Sequence, residues 1–253
     1  MARKNLGDVL HYFIPEDEQS AALGRSAGPE AASDGDVAPH GAAPRICLPA
    51  SPERLLWCAL ALELAGALAS ERGSARVEAS FAASPLLPTV PGVRFVARAR
   101  EPEALAAALA DTPRDEPLLV LERPAQLAQF LARPERSLLD GLLLPVDASA
   151  SGVVRALRLL REIAPALAGM RVFAWVVGAR SALEASELGE RLSAAARRQH
   201  ALDVEVAPAL PSDPALFRAL LRGESVHATD DGTSAGAREL RALSRRLAVR
   251  RAA

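Results

Sequence analysis

The stretch PRICLPASPERLLWCALALELAGALA, Pro44 to Ala69, decides the fold, because it reads as a buried strand, a short turn and a long helix. A turn in this position that binds phosphate needs glycines, whose backbone N–H groups crowd round the phosphates, and a lysine against the terminal phosphates. Between Ile46 and Leu68 the only glycine is Gly66, deep in the predicted helix, and there is no lysine. The stretch therefore predicts a nucleotide-binding architecture without the phosphate-binding groups.

The composition sets outer limits on the class of protein. The chain has 253 residues, 50% of them hydrophobic, and a formal net charge of −1, so it can fill one large core and is not expected to bind nucleic acid. Cys47 and Cys58 form no CxxC pair and lie near no histidine, so we expect neither a metal site nor a disulfide framework. The sequence shows neither a signal-peptide pattern nor a membrane-spanning run, and we expect a cytoplasmic protein.

From residue 44 onward, short apolar runs alternate with helical segments. The predicted strands are Arg45–Leu48, Arg76–Phe81, Val93–Ala97, Leu118–Glu122, Leu142–Val146, Arg171–Val177 and Val204–Ala207. Helices are predicted to start near Ser51, Glu101, Pro124, Ala150, Ser181, Ser212 and Thr233. Several strands are apolar throughout, which is typical of a parallel sheet covered by helices on both faces. The pattern predicts an α/β fold with a doubly wound, mostly parallel sheet over residues 44–253, whose ligands would bind beyond the carboxyl ends of the strands.

The first 43 residues are predicted to lie outside this domain. Residues 20–43 are rich in Gly, Ala, Ser, Pro and acids and have no apolar period, which indicates a disordered linker. Ahead of the linker, residues 1–19 contain four apolar side chains at helical spacing, namely Leu6, Val9, Leu10 and Phe13. Such a short amphipathic element suits docking onto a protein partner, and packing on its own domain is the alternative.

Three further segments resemble the MinD/ParA family of P-loop ATPases, which includes regulators that place flagella, division septa and chromosomes. Leu142–Ile163 resembles the family's strand, loop and helix after switch II, and Ala209–Val226 is similar to its "IP-x-D…A…G-x-P/S-V" stretch. The segment TSAGARELRALSRRL is similar to the family's closing helix. The segments follow the family's order, so the resemblance implies a three-layer sandwich like that of the P-loop NTPases.

The same alignment places unsuitable groups at the family's nucleotide-binding positions. Trp57 falls at the phosphate lysine, Cys58 at the Mg²⁺-binding hydroxyl and Pro52 at the additional signature lysine. An indole cannot neutralise a triphosphate, and a thiol is a poor ligand for Mg²⁺. Ser51 and Glu53 read as the N-cap and the first-turn acid of the helix, and a carboxylate there would repel phosphate.

Acidic residues also lie at the predicted functional edge. Glu122 and Arg123 replace the aspartate and the small residue of the family's switch II, and Glu122 has the alternative interpretation of a strand-end carboxylate paired with an arginine. The adenine-contacting asparagine of the family would fall near Gly178. Asp147 and Asp213 lie at strand-to-helix turns, where an acid binds a ligand or, more commonly, caps a helix.

The last helix combines an apolar stripe, Leu240, Leu243 and Leu247, with many arginines. We predict that the stripe packs on the core and that the arginine face is solvated. A weak contact of this helix with membranes or acidic proteins is the alternative.

The leading hypothesis is a non-catalytic MinD/ParA-like pseudo-ATPase that needs no cofactor and acts as a protein-binding regulator or scaffold in cell polarity, motility or partitioning. Its partners would bind the N-terminal element, and it could form homo- or heterodimers. The former nucleotide face, around Trp57, Glu122 and Asp147, would be either filled with side chains or reused as a second interface. One alternative is an active ATPase that uses Ser51, Arg54 and Glu122 with ATP and Mg²⁺. The other is an unrelated small-molecule α/β enzyme.

Overall fold

The computed structural model describes residues 42–51, 54–97, 102–229 and 234–249. The predicted N-terminal element with Leu6, Val9, Leu10 and Phe13 lies outside the described residues, and its role stays a prediction. Nearly all of the predicted linker also lies outside them. The packed part begins close to the predicted boundary, because Ala43 is buried and its N–H donates to the Arg114 carbonyl at 2.7 Å.

Eight strands of the described chain form one parallel sheet in the order β3-β2-β4-β1-β5-β6-β7, with β8 beside β6. The strands are β1 (Arg45–Pro49), β2 (Ala75–Ala79), β3 (Val93–Ala97), β4 (Leu118–Glu122), β5 (Gly141–Asp147), β6 (Arg171–Ala179), β7 (Val204–Val206) and β8 (Leu210–Pro211). The first strand, β1, lies in the middle of the sheet. On one side of it are β4, β2 and β3, and on the other are β5, β6 and β7. This arrangement confirms the doubly wound parallel sheet.

Helices cover both faces of the sheet. They are α1 (Leu55–Arg72), α2 (Pro102–Asp111), α3 (Pro124–Leu131), α4 (Ala150–Ile163), α5 (Ala182–His200), α6 (Pro214–Leu221), α7 (Val226–Thr229) and α8 (Ala235–Ala248). Apolar residues of α1, α6, α7 and α8 form the core on one face, and those of α2 to α5 form the core on the other. The molecule is therefore a three-layer sandwich.

The apolar strands divide their side chains between the two cores. In β1, Ile46 and Leu48 belong to the core beside α1, whereas Cys47 between them belongs to the opposite core. This alternation follows from the two-residue period of a strand, and both sets must be apolar because both faces are covered. The same reason explains why these strands read as continuous apolar runs in the sequence.

The start of α1 differs from the prediction. Ser51 is not its N-cap: the helix begins at Leu55, and Arg54 holds the N-cap position without a side-chain cap. The physical reason is a tight turn before the helix, in which the Arg54 N–H donates to the Ser51 carbonyl at 2.9 Å. The prediction of a self-capped start at Ser51 was therefore wrong.

The last helix packs as predicted. Leu240, Leu243 and Leu247 are buried against the core of α1, while Arg245 and Arg246 are exposed. Two other helix starts lie about two residues later than predicted, because Asp213 and Ser234 are the N-caps of α6 and α8. Within the described residues, no helix combines the length and the apolar character needed to span a bilayer.

Candidate functional site

The carboxyl ends of the central strands bring the predicted site residues to one edge of the sheet. Glu122 ends β4 and is in register with Pro49, which ends β1, and Asp147 ends β5 beside Val177 of β6. Since the strands are parallel, the turns that follow them lie at the same edge. Ser51 and Arg54 belong to the turn after β1 and complete this group.

Trp57 lies in the core rather than at the surface of this edge. Its side chain is 5% exposed and its ring packs against Trp175 of β6, with ring centroids 6.4 Å apart and planes tilted by 60°. This separation is in the range of favourable aromatic pairs. The first turn of α1 therefore anchors the helix to the middle of the sheet through an apolar contact.

Cys58 is also turned inward. The residue is buried, and its thiol donates to the Ser51 carbonyl at 3.4 Å. A thiol is also a poor ligand for a hard cation such as Mg²⁺, which prefers oxygen. The side chain holds the turn before α1 closed.

Glu122 is buried at the end of β4. Its Oε1 accepts a hydrogen bond from the Arg123 backbone N–H at 3.2 Å. This contact comes from the peptide group, not from the guanidinium with which the sequence suggested an ion pair. A carboxylate held in this way at a strand end also remains a suitable oxygen ligand for a hard cation.

Two polar residues of β2 and the turn after it lie on the same face as Glu122. Glu78 is buried and paired with Arg76, and its Oε2 has no hydrogen-bond partner. Ser80 follows β2, its N–H donates to the Leu121 carbonyl at 3.3 Å, and its buried Oγ is unpartnered. Each such atom costs about 1–3 kcal/mol unless it is solvated. Together with Glu122, Glu78 and Ser80 form a polar corner of the edge. The sequence pattern did not single out Ser80.

Asp147 neither caps a helix nor meets the other acids. It forms an ion pair with Arg155 of α4, while Ser149 caps that helix by accepting from the Gly152 N–H at 3.1 Å. Gly152 is required here, because a Cβ on it would lie 2.3 Å from the Asp147 carbonyl oxygen. The turn after β5 is therefore closed by its own backbone and by a surface ion pair.

Exposed leucines lie at the same edge. Leu56 in the first turn of α1 is 40% exposed and Leu183 in the first turn of α5 is 70% exposed. Scattered apolar residues are common on protein surfaces. Each of these leucines is exposed beside polar side chains, Arg54 at the start of α1 and Ser181 and Glu184 at the start of α5.

A second buried polar cluster joins α1 to α7, and sequence reasoning missed it. The Ser225 hydroxyl donates to Glu63 Oε2 at 3.3 Å, and His227 Nε2 lies 2.9 Å from the Glu63 backbone oxygen. Burial raises the pKa of Glu63 to about 7 and lowers the pKa of His227. Gly66 makes room for the imidazole, because a Cβ there would lie 2.7 Å from His227 Cδ2.

This cluster is not arranged as a nucleophile site. The Ser225 hydroxyl is buried and directed to the carboxylate of Glu63, whereas an activated serine needs its hydroxyl against the base and open to substrate. The cluster instead fastens α7 to the middle of α1. Elsewhere in the described chain, no three His, Cys, Asp or Glu side chains converge in an arrangement that could hold a metal ion.

Comparison with known proteins identifies the fold. No protein-family model and no curated protein sequence matches the chain. Solved structures do match: a chain of the MinC:MinD cell division protein complex of Aquifex aeolicus superposes with a TM-score of 0.57 at 14% identity, over 81% of this chain and 95% of that chain. MinD of the same organism superposes with a TM-score of 0.56 at 15% identity, over 81% of this chain and 96% of that chain.

A ParA family ATPase from Chlorobium tepidum TLS gives a TM-score of 0.54 at 12% identity, over 80% of this chain and 98% of that chain. Each of these chains is matched over nearly its whole length. At such low identities the likeness is one of fold, and the chain has the fold of the MinD and ParA ATPases.

Proposed function

We propose that this chain is a non-catalytic MinD/ParA-like pseudo-ATPase that needs no cofactor and acts as a protein-binding regulator or scaffold. The observation that carries the proposal is the buried Trp57–Trp175 contact at the start of α1. In the family that the sequence resembles, this helix start is where the terminal phosphates are held. An indole in the core leaves no cation there for a triphosphate.

The rest of the turn supports the same proposal. Residues 50–54 join β1 to α1 and contain no glycine, so the backbone has a Cβ or a proline ring at every position where N–H groups would have to crowd round phosphate. The chain has a single lysine, Lys4, which precedes the turn by more than 40 residues in sequence. Arg54 is the basic residue nearest to the helix start, and it occupies the N-cap.

Protein binding is the function that we propose for this edge. The exposed Leu56 and Leu183 are suited to a partner protein rather than to a nucleotide. We propose that this face and the N-terminal element with Leu6, Val9, Leu10 and Phe13 bind partner proteins, in a homo- or heterodimer or in the machinery of polarity, motility or partitioning.

An active but atypical ATPase is the second candidate, and the polar corner of Glu78, Ser80 and Glu122 favours it. Among the described residues, the buried Glu78 Oε2 and Ser80 Oγ have no hydrogen-bond partner. Together with the carboxylate of Glu122 they are the kind of oxygen ligands that Mg²⁺ prefers. In this mechanism Glu122 and Glu78 would hold the cation through oxygen atoms, and Arg54 would supply a positive charge at the turn before α1.

A titration with a fluorescent ATP analogue, with and without Mg²⁺, separates the two candidates. The pseudo-ATPase should show no saturable binding at micromolar concentrations, whereas a MinD or ParA ATPase in the same assay provides the positive control. Saturable binding that requires Mg²⁺ and is weakened by Glu122→Gln would overturn the proposal in favour of the ATPase. Binding that Glu122→Gln leaves unchanged would also overturn it and would place the nucleotide elsewhere.

A further inference from the structure

An exposed apolar surface lies away from the strand ends, where α6 meets the segment between β2 and β3. We define the apolar patch as Leu86, Leu87, Phe217 and Leu221. Leu221 is 85% exposed and Leu86 is 65% exposed, and these are two of the most exposed large apolar side chains of the described chain. Phe217 and Leu87 are half-buried and pack on the core beneath.

The members of the patch are close in space. Phe217 and Leu221 are four residues apart on α6 and so lie on one side of the helix. The turn after α6 touches the other segment, because a Cβ on Gly223 would lie 3.4 Å from the Leu86 carbonyl oxygen. The two segments therefore form one surface. Phe217 and Leu87 are half-buried at its base, and Leu86 and Leu221 are exposed at its rim.

Basic side chains border the patch. Arg218 and Arg222 are exposed at the carboxyl end of α6, where Arg218 Nε donates to the Pro214 carbonyl and Arg222 pairs with Glu224. A segment that covers the patch should therefore be apolar on one side and acidic next to it. Complementary charge of this kind favours one orientation of the bound segment.

The first residues of the same chain have these properties. Leu6, Val9, Leu10 and Phe13 fall at i, i+3, i+4 and i+7, which places them on one face of a helix. The acids Glu16, Asp17 and Glu18 follow after Ile14 and Pro15. A helix of this length is marginal in water by itself, so it gains most from an apolar surface to pack on.

The intervening chain is long enough. The 29 residues from Ile14 to Ala42 can span about 95 Å when fully extended, and a random coil of that length has an end-to-end distance of about 30 Å. A domain of this size has a radius of gyration of about 17 Å. A segment tethered in this way has an effective concentration in the millimolar range, so that even a weak contact within the chain is populated.

We propose that residues 6–13 of the chain dock on the apolar patch of their own domain. The same four apolar side chains cannot contact the patch and a partner protein at once. Docking is therefore an autoinhibitory contact, which a partner must displace before it binds the N-terminal element. This inference concerns a different surface from the strand ends and holds whether or not the chain binds ATP.

Hydrogen exchange of the full-length protein, followed by mass spectrometry, tests the contact. Amides of residues 6–13 should be protected in the wild type. The double variant Leu86→Ser/Leu221→Ser should lose this protection, and Leu183→Ser, which removes an equally exposed leucine from the other surface, should retain it. Absence of protection in the wild type, or protection that survives the patch variant, would overturn the proposal.

Cross-linking of full-length variants locates the contact without altering the apolar side chains. A short bismaleimide should join the cysteines of Asn5→Cys/Pro85→Cys within one chain, and should not join those of Asn5→Cys/Ala182→Cys. The native Cys47 and Cys58 are buried. Cross-linked dimers in place of monomers would show docking between two copies and would contradict the inference, as would efficient cross-linking to position 182.

Discussion

At the scale of single residues, the most unusual group is the buried carboxyl of Glu63. It lies in the middle of α1, accepts from the Ser225 hydroxyl, and has a pKa raised to about 7 by burial. The folded protein therefore binds a proton that the unfolded chain releases near the usual glutamate pKa of about 4.3. The stabilisation from this group is complete below that pH and is lost as the pH rises towards 7.

Glu63→Gln should remove the loss of stability that accompanies deprotonation of Glu63. Urea unfolding of the wild type and the variant at about pH 5 and about pH 8 should show that the variant loses less stability at the higher pH, by up to about 3 kcal/mol. His227 acts in the opposite direction, because its lowered pKa costs stability as the pH falls below 6.5. Glu190→Gln, at an exposed site of α5, is the control, and equal pH dependence in both variants would refute the assignment.

Trp57 provides the second prediction at this scale. Trp57→Ala should lower the free energy of unfolding by about 3–5 kcal/mol, because it leaves a cavity against Trp175. Leu56→Ala in the same helical turn is the matched control and should cost less than about 1 kcal/mol, since Leu56 is already half in water. Equal effects of the two variants in urea unfolding would show that the indole is not a core side chain.

Sequence reasoning identified some of these residues and not others. The sequence alone placed Trp57 in an apolar helix that follows a predicted strand, because strand, turn and helix are adjacent in the chain. The Glu63 cluster was not, because Ser225 and His227 follow Glu63 by more than 160 residues. Their contact depends on how α7 packs on α1, which no local pattern encodes.

At the scale of secondary-structure elements, Asp213 connects two helices. Its Oδ1 accepts from the Ala215 and Leu216 N–H groups at the start of α6, and its Oδ2 accepts from the Gly236 N–H of α8 at 3.1 Å. The sequence predicted a cap within one helix. The second bond exists because the two helix starts lie side by side in the folded protein.

Asp213→Ala should therefore cost more than the loss of an ordinary cap. We expect a decrease of about 2–3 kcal/mol in the free energy of unfolding, since N–H groups at two helix starts lose their acceptor. Asp213→Asn retains one carbonyl oxygen and should recover part of the loss. Calorimetry of both variants measures the change in the free energy of unfolding. A loss below about 1 kcal/mol for Asp213→Ala would mean that α8 does not depend on this carboxylate.

At the scale of the whole molecule, the buried apolar residues of the described chain run from Ala43 to Leu247. We therefore expect deletion of residues 1–41 to leave a cooperatively folding domain. The free energy of unfolding should change by no more than about 1–2 kcal/mol, the contribution of the docked segment. Thermal unfolding of the deleted and full-length proteins measures the difference. A much larger loss would show that Leu6, Val9, Leu10 and Phe13 belong to the core.

The sequence by itself determined the layered fold, because strands buried on both faces must be apolar throughout and the amphipathic helices between them must cover the sheet. It also determined that glycines and lysine are missing between β1 and α1. Only the tertiary structure decided that Trp57 meets Trp175, that Ser80 lies beside Glu122, and that α6 and the segment after β2 form one exposed apolar surface. Those contacts join segments that are distant in the chain, and their geometry is set by the packing of whole elements rather than by any local preference.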